Sequence, residues 1–217
     1  MTETFPSSGP SSGKSSGKPS GHPAREPAVS ADLAALVARA ERAGKGAPPV
    51  ESWNPDHCGE IDMVIRADGS WTYNGSPIQR PALVRLFSTV LRRDEDGRTY
   101  LVTPAEKLGI TVEDAHFLAV EMSRDARGGV PVLTFRTGVG DVVEAGPAHP
   151  LRFRVGEDAG FEPYLLVRGR LEAKLTRALA YDLAELIETD DEGGAYVASG
   201  GARFPLPAEA FAADGSA

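Results

Sequence analysis

The chain has 217 residues, 41% hydrophobic and 25% charged, enough apolar side chain to build a core without disulfide or metal staples. A formal net charge of −8 and a pI near 5.1 argue against general binding to nucleic acid or to an anionic membrane, since both need positive potential. One cysteine, Cys58, rules out an intrachain disulfide and fits a reducing, cytoplasmic compartment. No apolar run resembles a signal-peptide core or a membrane span.

Residues 1–29 are Ser, Gly, Pro and Lys with almost no large apolar side chain, and are expected to be a disordered tail. A helix and linker over 30–49 follow. Ser30 precedes Asp32, Leu33, Leu36 and Val37 at helical spacing through Ala40, and Gly44 and Gly46 end the run before Pro48-Pro49. A first α+β lobe is expected over 50–115. Ile61, Met63 and Ile65 alternate, Asp68-Gly69 turns the chain, and Trp71 and Tyr73 resume it, which is the pattern of a β-hairpin. Asn74 to Pro77 makes a second turn before Arg80-Pro81, where the proline suits a first helical turn. The helix carries Leu83, Leu86, Phe87, Val90 and Leu91 as an apolar stripe, with Arg85, Arg92 and Arg93 on its other side and at its end. Thr99 to Thr103 reads as a strand ended by Pro104.

A strand-rich second lobe is expected over 116–210. Short strands are read at 116–122, 130–136, 141–143, 151–155 and 164–167, forming a curved antiparallel sheet, and a last helix over 171–187 buries Leu175, Leu179, Leu183, Leu186 and Ile187. An internal repeat links the halves. Asp94-Glu95-Asp96-Gly97 with Tyr100 aligns with Asp190-Asp191-Glu192-Gly193 and Tyr196 at an offset of 96, the step from Asp94 to Asp190. Leu83, Phe87, Val90 and Leu91 fall on Leu179, Leu183, Leu186 and Ile187 at the same offset. Two related lobes predict a cleft between them, where small ligands usually bind.

His57 beside Cys58 invites a metal or a nucleophile reading. His22, His116 and His149 fit no ligand spacing with it, so no metal or cofactor is expected. Neighbours in a strand point to opposite faces, so a Cys–His dyad needs an irregular backbone, and the plain alternative is a small buried cysteine. Asp62 and Glu106 are candidate acid–base carboxylates, and Arg80 at a helix start suits a carboxylate or phosphate ligand or a salt bridge to Asp62 or Glu106. Gly138-Val139-Gly140 lacks the context of a dinucleotide fingerprint, and neither GxxxxGK[ST] nor GxSxG occurs.

Asp68-Gly69, Trp71, Tyr73, Gly75 to Ile78 and Arg80, followed by Leu101 to Pro104 with Glu106 and Lys107, carry a family resemblance. From about Trp53 onward the chain resembles the bacterial domain-of-unknown-function family 1285. The resemblance implies an α+β fold of two lobes from a duplicated helix-plus-antiparallel-sheet motif, the second superficially like a pleckstrin-homology sheet. It also implies a ligand site between the lobes and a signalling or regulatory role. His116 departs from the proline expected in many relatives. The resulting expectation is a non-enzymatic module binding a small molecule or peptide through Asp62, Arg80, Thr103, Glu106 and Lys107, with Trp71, Tyr73 and Phe117 as walls, core packing being the rival reading for Trp71 and Tyr73. A hydrolase using Cys58 with His57 or a carboxylate pair, and an adaptor capturing a peptide on a sheet edge, are the alternatives.

Overall fold

The computed structural model describes residues 1–2, 31–42, 48–156 and 160–209. The expected tail, apart from Met1 and Thr2, and the Ser30 helix start lie outside the described residues.

Helix α1 (Ala31–Arg42) puts Leu33, Leu36 and Ala40 on one buried face, the i, i+3, i+4 stripe its sequence carries. That face packs on α2 (Pro81–Thr89), which begins at Pro81 with Arg80 as an extended N-cap. Around them the first sheet has the order β3-β2-β1-β6-β5-β4. Its strands are β1 (His57–Ile65), β2 (Trp71–Tyr73), β3 (Ser76–Pro77), β4 (Leu91–Arg93), β5 (Thr99–Val102) and β6 (Lys107–Val112). Alternation in β1 buries Met63 and Ile65 completely, and β2 pairs antiparallel to it with Ile65 opposite Trp71. Asn74 and Gly75 both take positive φ, 48° and 71°, which two-residue hairpin turns require, so the Asn-Gly step joins β2 to β3.

The second sheet has the order β10-β11-β12-β7-β8-β9. It comprises β7 (Phe117–Arg127), β8 (Val130–Thr137), β9 (Val142–Glu144), β10 (Leu151–Val155), β11 (Phe161–Arg168) and β12 (Leu171–Leu175). Helix α3 (Arg177–Ala184) follows, then a third sheet of β13 (Ile187–Thr189), β14 (Ala195–Ser199) and β15 (Ala202–Pro205). The molecule is therefore a mixed helix-and-sheet fold, and among the described residues three helices accompany three sheets. The sheets are not purely antiparallel: β1 runs parallel to β6, and β12 parallel to β7.

Two expected helices are shorter in the structure. The last one begins at Arg177; Leu171, Ala173 and Leu175 instead alternate inward along β12, and the Thr176 hydroxyl accepts the Leu179 N–H at 3.4 Å to start α3. The other ends at Thr89, and Leu91 to Arg93 form β4. Arg92 is thus buried in a strand. Its guanidinium grips both Asp94 carboxylate oxygens at 2.6 and 3.2 Å and donates to the Val50 and Trp53 carbonyls at 2.8 and 2.5 Å, fastening the segment before β1.

The repeat read at an offset of 96 carries matching backbone geometry. Phe87 O accepts from Val90 N as Leu183 O does from Leu186 N, and the acidic turns close through Gly97 N to Asp94 O and Gly193 N to Asp190 O. Arg92 opposite Tyr100 in β4–β5 corresponds to Glu188 opposite Tyr196 in β13–β14. The third sheet is pinned onto the second. The fully buried Ser199 hydroxyl accepts the Leu133 N–H at 2.8 Å and donates to the Ala145 carbonyl at 2.7 Å. Gly200 then passes so close that a Cβ there would stand 2.8 Å from the same carbonyl.

Candidate functional groove

The expected site residues are placed at several separate points. Trp71 (3% exposed) and Phe117 (4% exposed) are core residues, and Arg168 lies 4.8 Å from the Phe117 ring centroid. Thr103 and Glu106 face each other across the β5–β6 connection, with the Thr103 hydroxyl accepting the Ala105 and Glu106 N–H groups. The Glu106 carboxylate pairs with Arg39 of α1 at 2.7 Å. Lys107 donates to Asp94 at 3.1 Å and sits 4.5 Å from the Tyr100 ring centroid. Asp62 is exposed on β1, its carbonyl accepting the Asn74 N–H. Arg80 is the exposed N-cap of α2. Cys58 is exposed and not buried; its thiol donates to the Asp56 carbonyl at 3.3 Å, while His57 meets Glu60 at 3.0 Å.

Side chains of each half bridge the seam between them. Arg168 of β11 reaches the Ser88 carbonyl at the end of α2 and the Asp141 carboxylate, both at 2.7 Å, and Arg85 of α2 donates to the Val139 carbonyl at 3.1 Å. His116 is 5% exposed: Nδ1 accepts the Glu172 N–H at 3.2 Å and Nε2 faces the Thr99 hydroxyl at 3.1 Å. Burial, with Arg93 nearby, pulls its imidazole down to about 4, so it stays neutral.

A groove of about 830 Å³, within the usual span for ligand sites of about 300–1,000 Å³, opens instead within the second half. Strands β10, β11 and β12 form one wall and α3 the other. Arg154, Lys174 and Arg177 reach it from three different elements, with Glu162 as the carboxylate among its described lining residues, and Phe161, Leu175 and Ala180 supply apolar surface. Tyr181 (61% exposed) and Val155 (39% exposed) also line it and are two of the few large hydrophobic side chains exposed among the described residues. One helical turn apart, Arg177 and Tyr181 meet on the groove side of α3: the guanidinium donates to the phenol oxygen at 3.1 and 3.2 Å.

Beneath the groove lies an ion network. Lys174 donates to Glu162 at 2.6 Å and to Asp114 at 2.8 Å, Arg154 to Glu162 at 2.6 Å and to Asp114 at 3.3 Å, and the buried Tyr164 phenol to Asp114 at 2.8 Å. Burial opposes ionisation of Glu162, yet its bonds to Lys174 and Arg154 outweigh this and hold the carboxyl at about 2. Burial likewise opposes the charge on Lys174, and the bonds to Asp114 and Glu162 raise its ammonium above the ordinary lysine range. Burial and then the Asp114 bond push the Tyr164 phenol up. The cations at the groove floor remain charged across the neutral range.

Sequence reasoning missed Arg154, Glu162, Lys174, Arg177 and Tyr181. A signal was present: Lys174 is the polar residue between Ala173 and Leu175 in an alternating run, and Tyr181 falls off the Leu179–Leu183 stripe of α3.

Comparison with known proteins supplies the relationship. No curated protein matches the chain. A crystal structure of a DUF1285 family protein from Silicibacter pomeroyi DSS-3 is 48% identical, with a TM-score of 0.71, covering 75% of this chain and 88% of that one. A DUF1285 family protein from Shewanella baltica OS155 is 29% identical, with a TM-score of 0.46, covering 58% of this chain and 91% of that one. The N-terminal domain model of DUF1285, a domain of unknown function, matches residues 48–115 and its C-terminal domain model residues 116–206, so the chain belongs to the DUF1285 family.

Proposed function

We propose that the protein is a ligand-binding regulatory module acting in the cytoplasm, with its ligand site in the second-half groove and not in the seam between the halves. The observation that carries this reading is the groove itself: about 830 Å³, open to solvent, with cations from three elements beside exposed Tyr181 and Val155. The reading takes the two halves as related lobes, supported by the hydrogen bonds and registers that repeat at an offset of 96. A pleckstrin-homology-like character of the second lobe is part of it, supported by a sheet followed by a capping helix.

A thermal-shift screen of nucleotides, amino acids, sugar phosphates, organic acids and short peptides tests it. A ligand at a hundred times its Kd adds about 2.7 kcal/mol to the native state, a rise of roughly 5–10 °C for a domain of this size. Tyr181→Ala, a change on an exposed face, should remove that rise, whereas Arg80→Ala should leave it. A rise that survives Tyr181→Ala and vanishes in Arg80→Ala would return the site to the first half. One observation favours a peptide as ligand: β10, which borders the groove, is the terminal strand of its sheet. A rise with peptides alone would select that reading.

A further inference from the structure

We propose that the seat of α1, formed by α2, β5 and β6, is a docking site for an amphipathic helix of a partner protein, which α1 holds shut in cis. The inference concerns the first half and stands independently of the groove in the second. Helix α1 lies ahead of both family-matched segments, 48–115 and 116–206, whereas the side chains that receive it belong to the first of them. Leu33, Leu36 and Ala40 are buried on one side of the helix, while Ala34, Ala38 and Glu41 are exposed on the other. Beneath it the body presents Phe87, Val90, Leu101 and Leu108. A void of about 10 Å³, room for about one water, remains between helix and floor, so the seat has the shape of a helix.

An α-helix closes its backbone hydrogen bonds within itself, and α1 joins none of the sheets, so its departure breaks no strand ladder. A helix of 12 residues is marginal in isolation and is held by packing of its apolar face. Lifting α1 is thus a local opening that bares an apolar floor in need of a cover. Charge states what the cover carries. Glu106, 18% exposed, receives the Arg39 guanidinium at 2.7 Å. The Thr103 hydroxyl accepts the Glu106 N–H and fixes that carboxylate at the rim, where it calls for another cation once Arg39 leaves. The fitting partner is a helix that repeats the spacing of Leu33, Leu36, Arg39 and Ala40: two large apolar residues three apart, an arginine three further on, and a small residue beside it.

The probe is a fluorescein-labelled peptide of residues 31–42, followed by anisotropy against the full chain and its Leu36→Asp variant. An aspartate on the buried face ejects α1, and near-UV circular dichroism checks that the body stays folded. Cis occupancy lowers apparent affinity by the fraction of open seats, so the variant should bind the peptide about tenfold or more tightly than the wild type does. A peptide carrying Arg39→Gln should bind the variant about threefold more weakly, the worth of a partly exposed ion pair. Adding Glu106→Gln to the variant should erase the difference between the two peptides. In the wild type, amides of α1 should exchange ahead of those of β5. Peptide binding that is absent from the folded variant, or equal in both proteins, overturns the proposal. A variant that loses its near-UV signal, or α1 amides that exchange no faster than β5, makes α1 a fixed part of the core and overturns it too. A wild-type dimer in sedimentation that Leu36→Asp dissociates gives the seat to a second copy of the chain and overturns the partner assignment.

Discussion

His116 sets a pH dependence that can be worked from its surroundings. It lies where the two halves meet, accepting the Glu172 N–H on one ring nitrogen and facing the Thr99 hydroxyl with the other, with Arg93 and Arg168 as neighbouring cations and Glu172 as the opposing anion. Burial, then the repulsion of Arg93, lowers its pKa to about 4 from 6.5, so above pH 6.5 both folded and unfolded chains hold it neutral and nothing is lost. As pH falls from 6.5 towards 4 the unfolded chain binds a proton that the folded chain refuses, and stability drops by up to about 1.4 kcal/mol per pH unit, roughly 3 kcal/mol across the window. Below pH 4 the folded imidazole also protonates and this contribution levels off. Urea denaturation followed by tryptophan fluorescence, at half-unit steps from pH 8 to pH 3.5, measures it for the wild type and for His116→Gln. The variant loses stability at pH 8 through its altered hydrogen bonds, but that deficit should shrink by about 3 kcal/mol on going to pH 4, because glutamine has no proton to gain. A deficit that is constant with pH would refute the reasoning.

Two further predictions concern buried polar links. Ser199→Ala leaves the Leu133 N–H and the Ala145 carbonyl buried without the hydroxyl between them, and should cost about 2 kcal/mol in urea denaturation, with faster amide exchange along β14 and β15. Arg92→Lys keeps the charge but not the planar fork that holds Asp94, Val50 and Trp53 together; a loss of about 2 kcal/mol and a shifted Trp53 emission are expected, and an unchanged midpoint would show that the fork contributes little.

Local chemistry made the β1–β2 hairpin, the Asn74-Gly75 turn and the start of α2 legible, since alternation, positive-φ residues and a helix-initiating proline each act within a few residues. The ends of helices were harder. Val90 and Leu91 prolong the apolar stripe of α2 although Leu91 already belongs to β4, because the same core accepts both. Leu175 serves two periods at once, two-residue spacing with Leu171 and Ala173 and helical spacing with Leu179, so the strand before α3 read as helix. Strand β6 went unread: Gly109 interrupts its apolar run, and its pairing with β1 is parallel and set by distant chain. The groove was hidden for a related reason. Its cations come from β10, β12 and α3, and only the folded sheet and the helix that follows it bring them to one opening, whereas Trp71 and Phe117, conspicuous in sequence, are spent on the core.

The four residues joining the two family-matched segments are each tied down. Glu113 N–H donates to the Ile65 carbonyl while its carboxylate holds Arg66 and the Ala67 N–H; Asp114 anchors Tyr164 and Lys174; Ala115 is buried; and His116 bonds Glu172 through both backbone and ring. A protease must draw several residues of extended chain into its cleft, and this link cannot supply them while those bonds stand. Cutting the protein into its two halves at that point would require global unfolding first, so nicking there should proceed at the pace of whole-molecule opening and serve as a clock for it.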